Sequence, residues 1–126
     1  MSALVVDTSS WISYFKDLNN EIISSALREG RVHLPPIVIA EIFSAKLSIS
    51  DQKKMTEFLS TLGECQCDFS HWIKVGELRR DLAKVGVHVS TPDAHIAQCA
   101  LDIGAELLTE DKIFEHIQKH KLLKLA

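Results

Sequence analysis

Apolar positions along the chain alternate between short continuous runs and longer stretches of helical period. "ALVVD" (residues 3–7) is apolar up to its final acid, as in a strand buried on both faces. "TSSWISYFK" follows as a helix start with hydroxyl caps, and "NNEIISSALREG" as a second helix between Asn20 and Gly30. "RVHL" reads as a short strand. Pro35 and Pro36 then open "IVIAEIFSAKL", a helix apolar nearly all round and therefore expected to be central. Ser50 and Asp51 open a helix closed by Gly63, and "ECQCDF" is a weak strand. Ser70 opens a helix to about Lys84, with Gly86 ending it. Ser90, Thr91 and Pro92 start another, closed by Gly104. "AELLT" is a strand, "DKIFEHIQKH" a helix and "LLKLA" a last strand. The alternation predicts an α/β protein, a three-layer α/β/α sandwich with a mainly parallel central sheet. Its ligand site is expected beyond the carboxyl ends of the strands.

The length of 126 residues suits a single domain over residues 1–126. No run reaches the ~18 apolar residues of a membrane span. The start "MSALVVDTSSW" lacks the basic and long apolar regions of a signal peptide, so a cytoplasmic protein with no membrane partner is expected. Three cysteines form no disulfide framework. Cys65 and Cys67 read as two positions on a short strand rather than half a metal site, because no second Cys/His pair stands at a zinc spacing. A net charge of −3 does not advertise a polyanion partner, but bound cations can reverse charge locally.

Acids stand where strands end. Asp7 closes the first strand, and Asp111 comes just after "ELLT". Taken singly, each is equally a turn residue or a helix cap. Asp93 lies in the first turn of its helix, where an acid complements the macrodipole on any face. It is also in register with Ile96, Ala97 and Ala100 of the inward face, while His95, Gln98 and Asp102 form a separate polar face. Glu41 sits within "IVIAEIF" without a base at helical spacing; it is either an exposed residue of that helix or an acid turned towards the others. If the four converge, two unit charges ~4 Å apart repel by about 4 kcal/mol at an effective dielectric near 20. Protonation or a bound divalent cation relieves this, and all-oxygen ligands suit Mg²⁺ or Mn²⁺. Such an ion activates water and clamps a phosphodiester.

"VVDTSSWISYF", "IVIAEI", "TPDAHIA" and "GAELLTEDKIFEHI", in this order, resemble the four acidic blocks of PIN-domain ribonucleases, and in particular the VapC toxins of toxin–antitoxin pairs. The resemblance spans essentially the whole chain. It implies an α/β/α metal-dependent endoribonuclease whose acids are Asp7, Glu41, Asp93 and Asp111, supported by the hydroxyls of Ser9 and Thr109. It also implies a homodimer, an RNA substrate and inhibition by a small cognate antitoxin. By their chemistry, Asp7 and Asp93 are expected to hold the principal ion, with Asp111 and Glu41 secondary. Cleavage should leave a 5′-phosphate and a 3′-hydroxyl.

The basic residues Lys74, Arg79, Arg80 and Lys84 read first as a solvated helix face, with pairs such as Glu77–Arg80 and Asp81–Lys84, and only second as phosphate contacts. Lys119, Lys121 and Lys124 read as solvated. Trp11, Tyr14 and Phe15 read as core or dimer contact rather than base-stacking residues. His95 reads as a surface residue. Ser9 stands where a haloacid-dehalogenase-type phosphatase needs a second Asp, and no lysine suits a receiver domain. The remaining alternatives are a structure-specific PIN-like DNA nuclease and a non-catalytic antitoxin- or RNA-binding module.

Overall fold

The computed structural model describes residues 2–17 and 19–126. Its strands are β1 (Leu4–Val6), β2 (Val32–Leu34), β3 (Gly63–Glu64), β4 (Glu106–Leu108) and β5 (Lys124–Leu125). All pairings are parallel, in the order β3-β2-β1-β4-β5. The helices are α1 (Thr8–Asp17), α2 (Glu21–Arg28), α3 (Pro36–Phe43), α4 (Ile49–Leu59), α5 (Phe69–Lys84), α6 (Thr91–Ile103) and α7 (Ile113–Gln118). The strand order steps outward from β1 to β3, then returns to the other side of β1. With right-handed crossovers, that reversal puts α1–α4 on one face of the sheet and α5–α7 on the other, the predicted α/β/α layering. β1 is the central strand, and Leu4, Val5 and Val6 are all buried, which explains its uninterrupted apolar run.

Most predicted elements form where the pattern put them. Asn20 caps α2 by accepting from the Ile23 amide at 3.2 Å, and Ser90 caps α6 by accepting from Asp93 N–H. Trp11 is fully buried, stacked on Phe15 and edge-on to Phe58, so this aromatic group belongs to the core.

Several expectations are corrected. Helix α3 stops at Phe43, and only Val38 and Ile42 are buried; Ala40, Glu41 and Phe43 are exposed. A helix this short covers the sheet with one face, and its remaining apolar residues stay at the surface. Helix α4 is capped by Ser48, and Gly63 lies in β3 rather than at the helix end. Asp68 caps α5, accepting from His71 N–H, so Cys65 and Cys67 lie between β3 and α5, outside the strand. Neither Glu77–Arg80 nor Asp81–Lys84 closes as an ion pair; Asp81 meets Lys121 instead, at 3.1 Å, so Lys121 is not merely solvated.

The largest correction concerns α6. Residues 94–100 are all buried, and the side that carries His95 and Gln98 packs against α5 instead of facing water. Their polar atoms find partners there, which is what makes a buried polar face tolerable.

Helix α6 ends at Gly104 in the left-handed region, with φ 63°. A Cβ there meets open space, so a side chain costs only backbone strain. Gly104→Ala should therefore destabilise the fold by about 1 kcal/mol, read as a lower urea midpoint with an unchanged slope.

Candidate active site

Strand β1 delivers Asp7 to the carboxyl edge of the sheet, beside β4. The Asp7 amide donates to Leu108 O at 2.9 Å, which continues the β1–β4 ladder by one residue. Asp7 and Thr109 thus leave adjacent parallel strands at the same edge, where the strand order reverses. In open α/β sheets this crevice is where ligands bind.

Asp7 is only 6% exposed. Its carboxylate accepts from the Thr109 hydroxyl (2.8 Å), the Thr8 amide (2.8 Å) and, more weakly, the Ser9 hydroxyl (3.4 Å). Every one of these donors is neutral. Burial pushes the Asp7 pKa up; the bonds from Thr109 and Thr8 oppose the rise, and the charge of Glu41 adds to it. Asp93 stands in the first turn of α6, half-buried. Burial raises its pKa too, against Ser90, and the carboxylates of Asp7, Asp111 and Glu41 push it further in the same direction. The four acids therefore share one electrostatic neighbourhood, although β1, α3, α6 and the segment after β4 supply them separately.

The supports tie these segments together. Glu41 is exposed and accepts from the Thr8 hydroxyl at 2.7 Å. That bond links α3 to the first residue of α1. Thr109 donates to Asp7 and also accepts from the Asp111 amide at 3.0 Å. Asp111 is exposed, and its Oδ1 accepts from Ile113 N–H, which shapes the turn into α7. Glu110, between them, accepts from Ser13 of α1 at 2.7 Å.

Among the described residues, none of the four acids forms an ion pair with a basic side chain. The donor set is anionic, all oxygen, and only partly used by hydroxyls and amides. It fits a hard divalent cation of the Mg²⁺ or Mn²⁺ type. Ligand-atom proximity, however, picks out a different cluster among the described residues, one of thiols and imidazoles. Like-charge repulsion favours such looseness among carboxylates.

The PIN domain profile matches residues 4–120. The chain belongs to the PIN domain family. DNA-bound VapBC from Salmonella typhimurium shares 25% identity with this PIN domain, over all of this chain and 98% of that one, with a TM-score of 0.78. VapBC2 from Rickettsia felis bound to a promoter DNA fragment is similar at 21% identity, covering 98% and 97%, with a TM-score of 0.79. VapBC-1 from nontypeable Haemophilus influenzae follows at 20%, covering 98% and 96%, with 0.77. The last two show the fold alone. No curated protein matches significantly. No helix among the described residues is long and apolar enough to cross a membrane.

In this PIN domain Ser9 and Thr109 both donate to Asp7, Thr8 bonds Asp7 through its amide and Glu41 through its hydroxyl, and Asp93 feels the charges of Asp7, Asp111 and Glu41. Sequence reasoning missed the Thr8 hydroxyl under Glu41 and the Ser13–Glu110 tie, because both cross between segments far apart in the chain. It also misjudged His95, which is wholly buried. Burial and the adjacent His71 lower the His95 pKa to about 4, so its ring is neutral at physiological pH. Of the basic helix face, Arg79 is committed to Val89 O at 2.9 Å, and Arg80 is exposed.

The raised pKa values fix a sign. A carboxyl that holds its proton more tightly in the folded chain weakens folding above that raised pKa, and the loss is recovered as pH falls through it. Without added divalent ion at pH 7.5, Asp93→Asn should raise Tm, on the order of 3 °C. The same variant should gain less than the parent from added Mn²⁺. Both changes are read by differential scanning calorimetry.

Proposed function

We propose that this PIN domain is a divalent-metal-dependent endoribonuclease, the toxin of a toxin–antitoxin pair. The observation that carries the reading is the buried Asp7, held by neutral donors at the strand-order reversal, whose charge, with those of Asp111 and Glu41, adds to burial in raising the pKa of Asp93. Asp7 and Asp93 would hold the principal Mg²⁺ or Mn²⁺ ion, with Asp111 and Glu41 as secondary ligands. Bound there, the ion would supply an activated water and neutralise charge on the scissile phosphate.

The chain's own residues prepare the site. Thr109, Ser9 and the Thr8 amide orient Asp7 without neutralising it, so its charge stays available for a cation. The Thr8 hydroxyl holds one Glu41 oxygen and leaves the other free to bind water or ion. Because Glu41 and Asp111 are exposed, the substrate phosphodiester can reach the acids from the sheet edge. Water adds at phosphorus as the bond to the 3′-oxygen breaks, leaving a 5′-phosphate and a 3′-hydroxyl. A cation held among these acids would let a protein of net charge −3 meet a polyanion locally.

The toxin assignment draws support from VapBC of Salmonella typhimurium, similar along the full chain. That likeness also supports an antitoxin partner. A largely apolar groove of about 640 Å³, with Tyr14, Phe15, Leu27 and Phe58 in its lining and Asp51 and Lys54 among its charged residues, offers such a partner a surface. RNA rather than DNA is the proposed substrate; a homodimer is the expected assembly.

Asp7→Asn should keep the circular dichroism spectrum and lose Mn²⁺-dependent cleavage of a defined RNA down to the buffer control. Full activity in that variant, freed of contaminating nuclease, would overturn the assignment, and cleavage of DNA alone would favour the DNA-nuclease alternative. Thr109→Val removes the hydroxyl that orients Asp7. It should weaken Mn²⁺ binding about 10- to 100-fold by calorimetry, with the fold retained.

A further inference from the structure

Helices α5 and α6 form the most extensive helix–helix contact among the described elements, and a second group of metal-ligating side chains lies between them. Cys67 precedes α5, His71 sits in its first turn, and His95 and Cys99 lie one turn apart on α6. One ligand atom from each lies within 4.8 Å of every other. The two sulfurs are 3.8 Å apart, His71 Nε2 is 2.8 Å from His95 Nδ1, and Cys99 Sγ is 3.8 Å from His95 Nε2. A tetrahedral zinc ion, with Zn–S about 2.3 Å and Zn–N about 2.0–2.1 Å, sets its ligand atoms about 3.3–3.8 Å apart.

From this geometry we propose that Cys67, His71, His95 and Cys99 form a structural Zn²⁺ site, separate from the carboxylates. Thiolate and imidazole are the donors that select zinc over Mg²⁺ or Mn²⁺. The surroundings are those of a metal-bound histidine. Asp102 Oδ2 accepts from His71 Nδ1 at 2.7 Å, which leaves Nε2 as the lone-pair nitrogen facing the cluster. Gln98 donates to the other Asp102 oxygen at 2.8 Å. Trp72 stacks on the His95 ring at a centroid distance of 4.6 Å and fixes its plane. His71, His95 and Cys99 are buried, whereas Cys67 is partly exposed and gives an ion a way in. A hydrogen bond between the two rings accounts for one nitrogen of each, but not for two thiols gathered at the same point. On binding, both thiols release their protons to solvent, and the imidazoles stay neutral. The ion would staple the β3–α5 connection to α6, the helix whose first turn carries Asp93.

The test is the metal content and spectrum of the full chain, purified without a histidine tag. One zinc per chain is expected by elemental mass spectrometry. Replacement by Co²⁺ should give the intense visible bands of a tetrahedral ion together with thiolate-to-cobalt charge transfer. Cys67→Ser alters the partly exposed ligand, so the variant should fold, by circular dichroism, yet lose the charge-transfer intensity and bind zinc more weakly. Asp102→Ala should lower zinc affinity about 10- to 100-fold. Cys65→Ala and Asp7→Asn should each retain the full zinc complement, which separates this site from the carboxylates and from the third cysteine. The proposal is overturned if the chain takes up no zinc, if Co²⁺ gives a weak octahedral spectrum, or if Cys67→Ser binds zinc as tightly as the parent. Loss of the zinc in Asp7→Asn would overturn it equally.

Discussion

Asp7 and Thr109 meet because β1 and β4 are hydrogen-bonded neighbours, and the rest of the candidate active site depends on that pairing. The bond from Asp7 N–H to Leu108 O sets the register in which one strand ends in a carboxylate and the next in its hydroxyl donor. A slip of one residue would turn Asp7 to the other face of the sheet. The same pairing creates the reversal in strand order, around which helices from both layers bring Glu41 and Asp93. What gathers there is negative charge supported only by neutral donors. Such an arrangement costs folding energy unless a cation shares it, so a functional constraint explains it better than stability does.

Helix α6 carries two kinds of donor along its length. Its first turn, entered through Ser90 and Pro92, presents Asp93 to the carboxylates. One turn on, His95 and Cys99 face α5, where His71 joins them, and Asp102 and Gln98 of α6 extend the polar network towards the surface. Hard oxygen donors stand at one end and soft sulfur and nitrogen donors further along, so two kinds of ion can be sorted on one helix by ligand type alone. Burial on every side explains why small residues, Ala94, Ala97 and Ala100, are interleaved with the polar ones.

Much of this was legible in the sequence. The continuous apolar run before Asp7 marked the central strand, and Ser90-Thr91-Pro92 and Gly104 bracketed α6 to the residue. Asp7, Asp93 and Asp111 could be singled out because each stands just past a strand or in the first turn of a helix, positions that a parallel sheet gathers at one edge. Glu41 was the exception. Its helix looked central because nearly every position is apolar, yet the helix is short and Glu41 lies on its exposed side, held by a hydroxyl 33 positions away. The thiol–imidazole cluster stayed hidden for a related reason. Each of its Cys/His pairs spans four positions, but periodicity alone assigned His95 to a water-facing side. Only the packing of α5 on α6 shows that this side is buried. Polarity reports that a face needs hydrogen bonds, not whether water or another helix provides them.

A divalent cation shared by the four carboxylates would be visible by anomalous scattering from crystals soaked in Mn²⁺. A manganese peak is expected within bonding distance of the Asp7 and Asp93 carboxylates, at the carboxyl ends of β1 and β4. Well-ordered crystals with no peak there, or with manganese only at the thiol–imidazole cluster, would contradict that expectation.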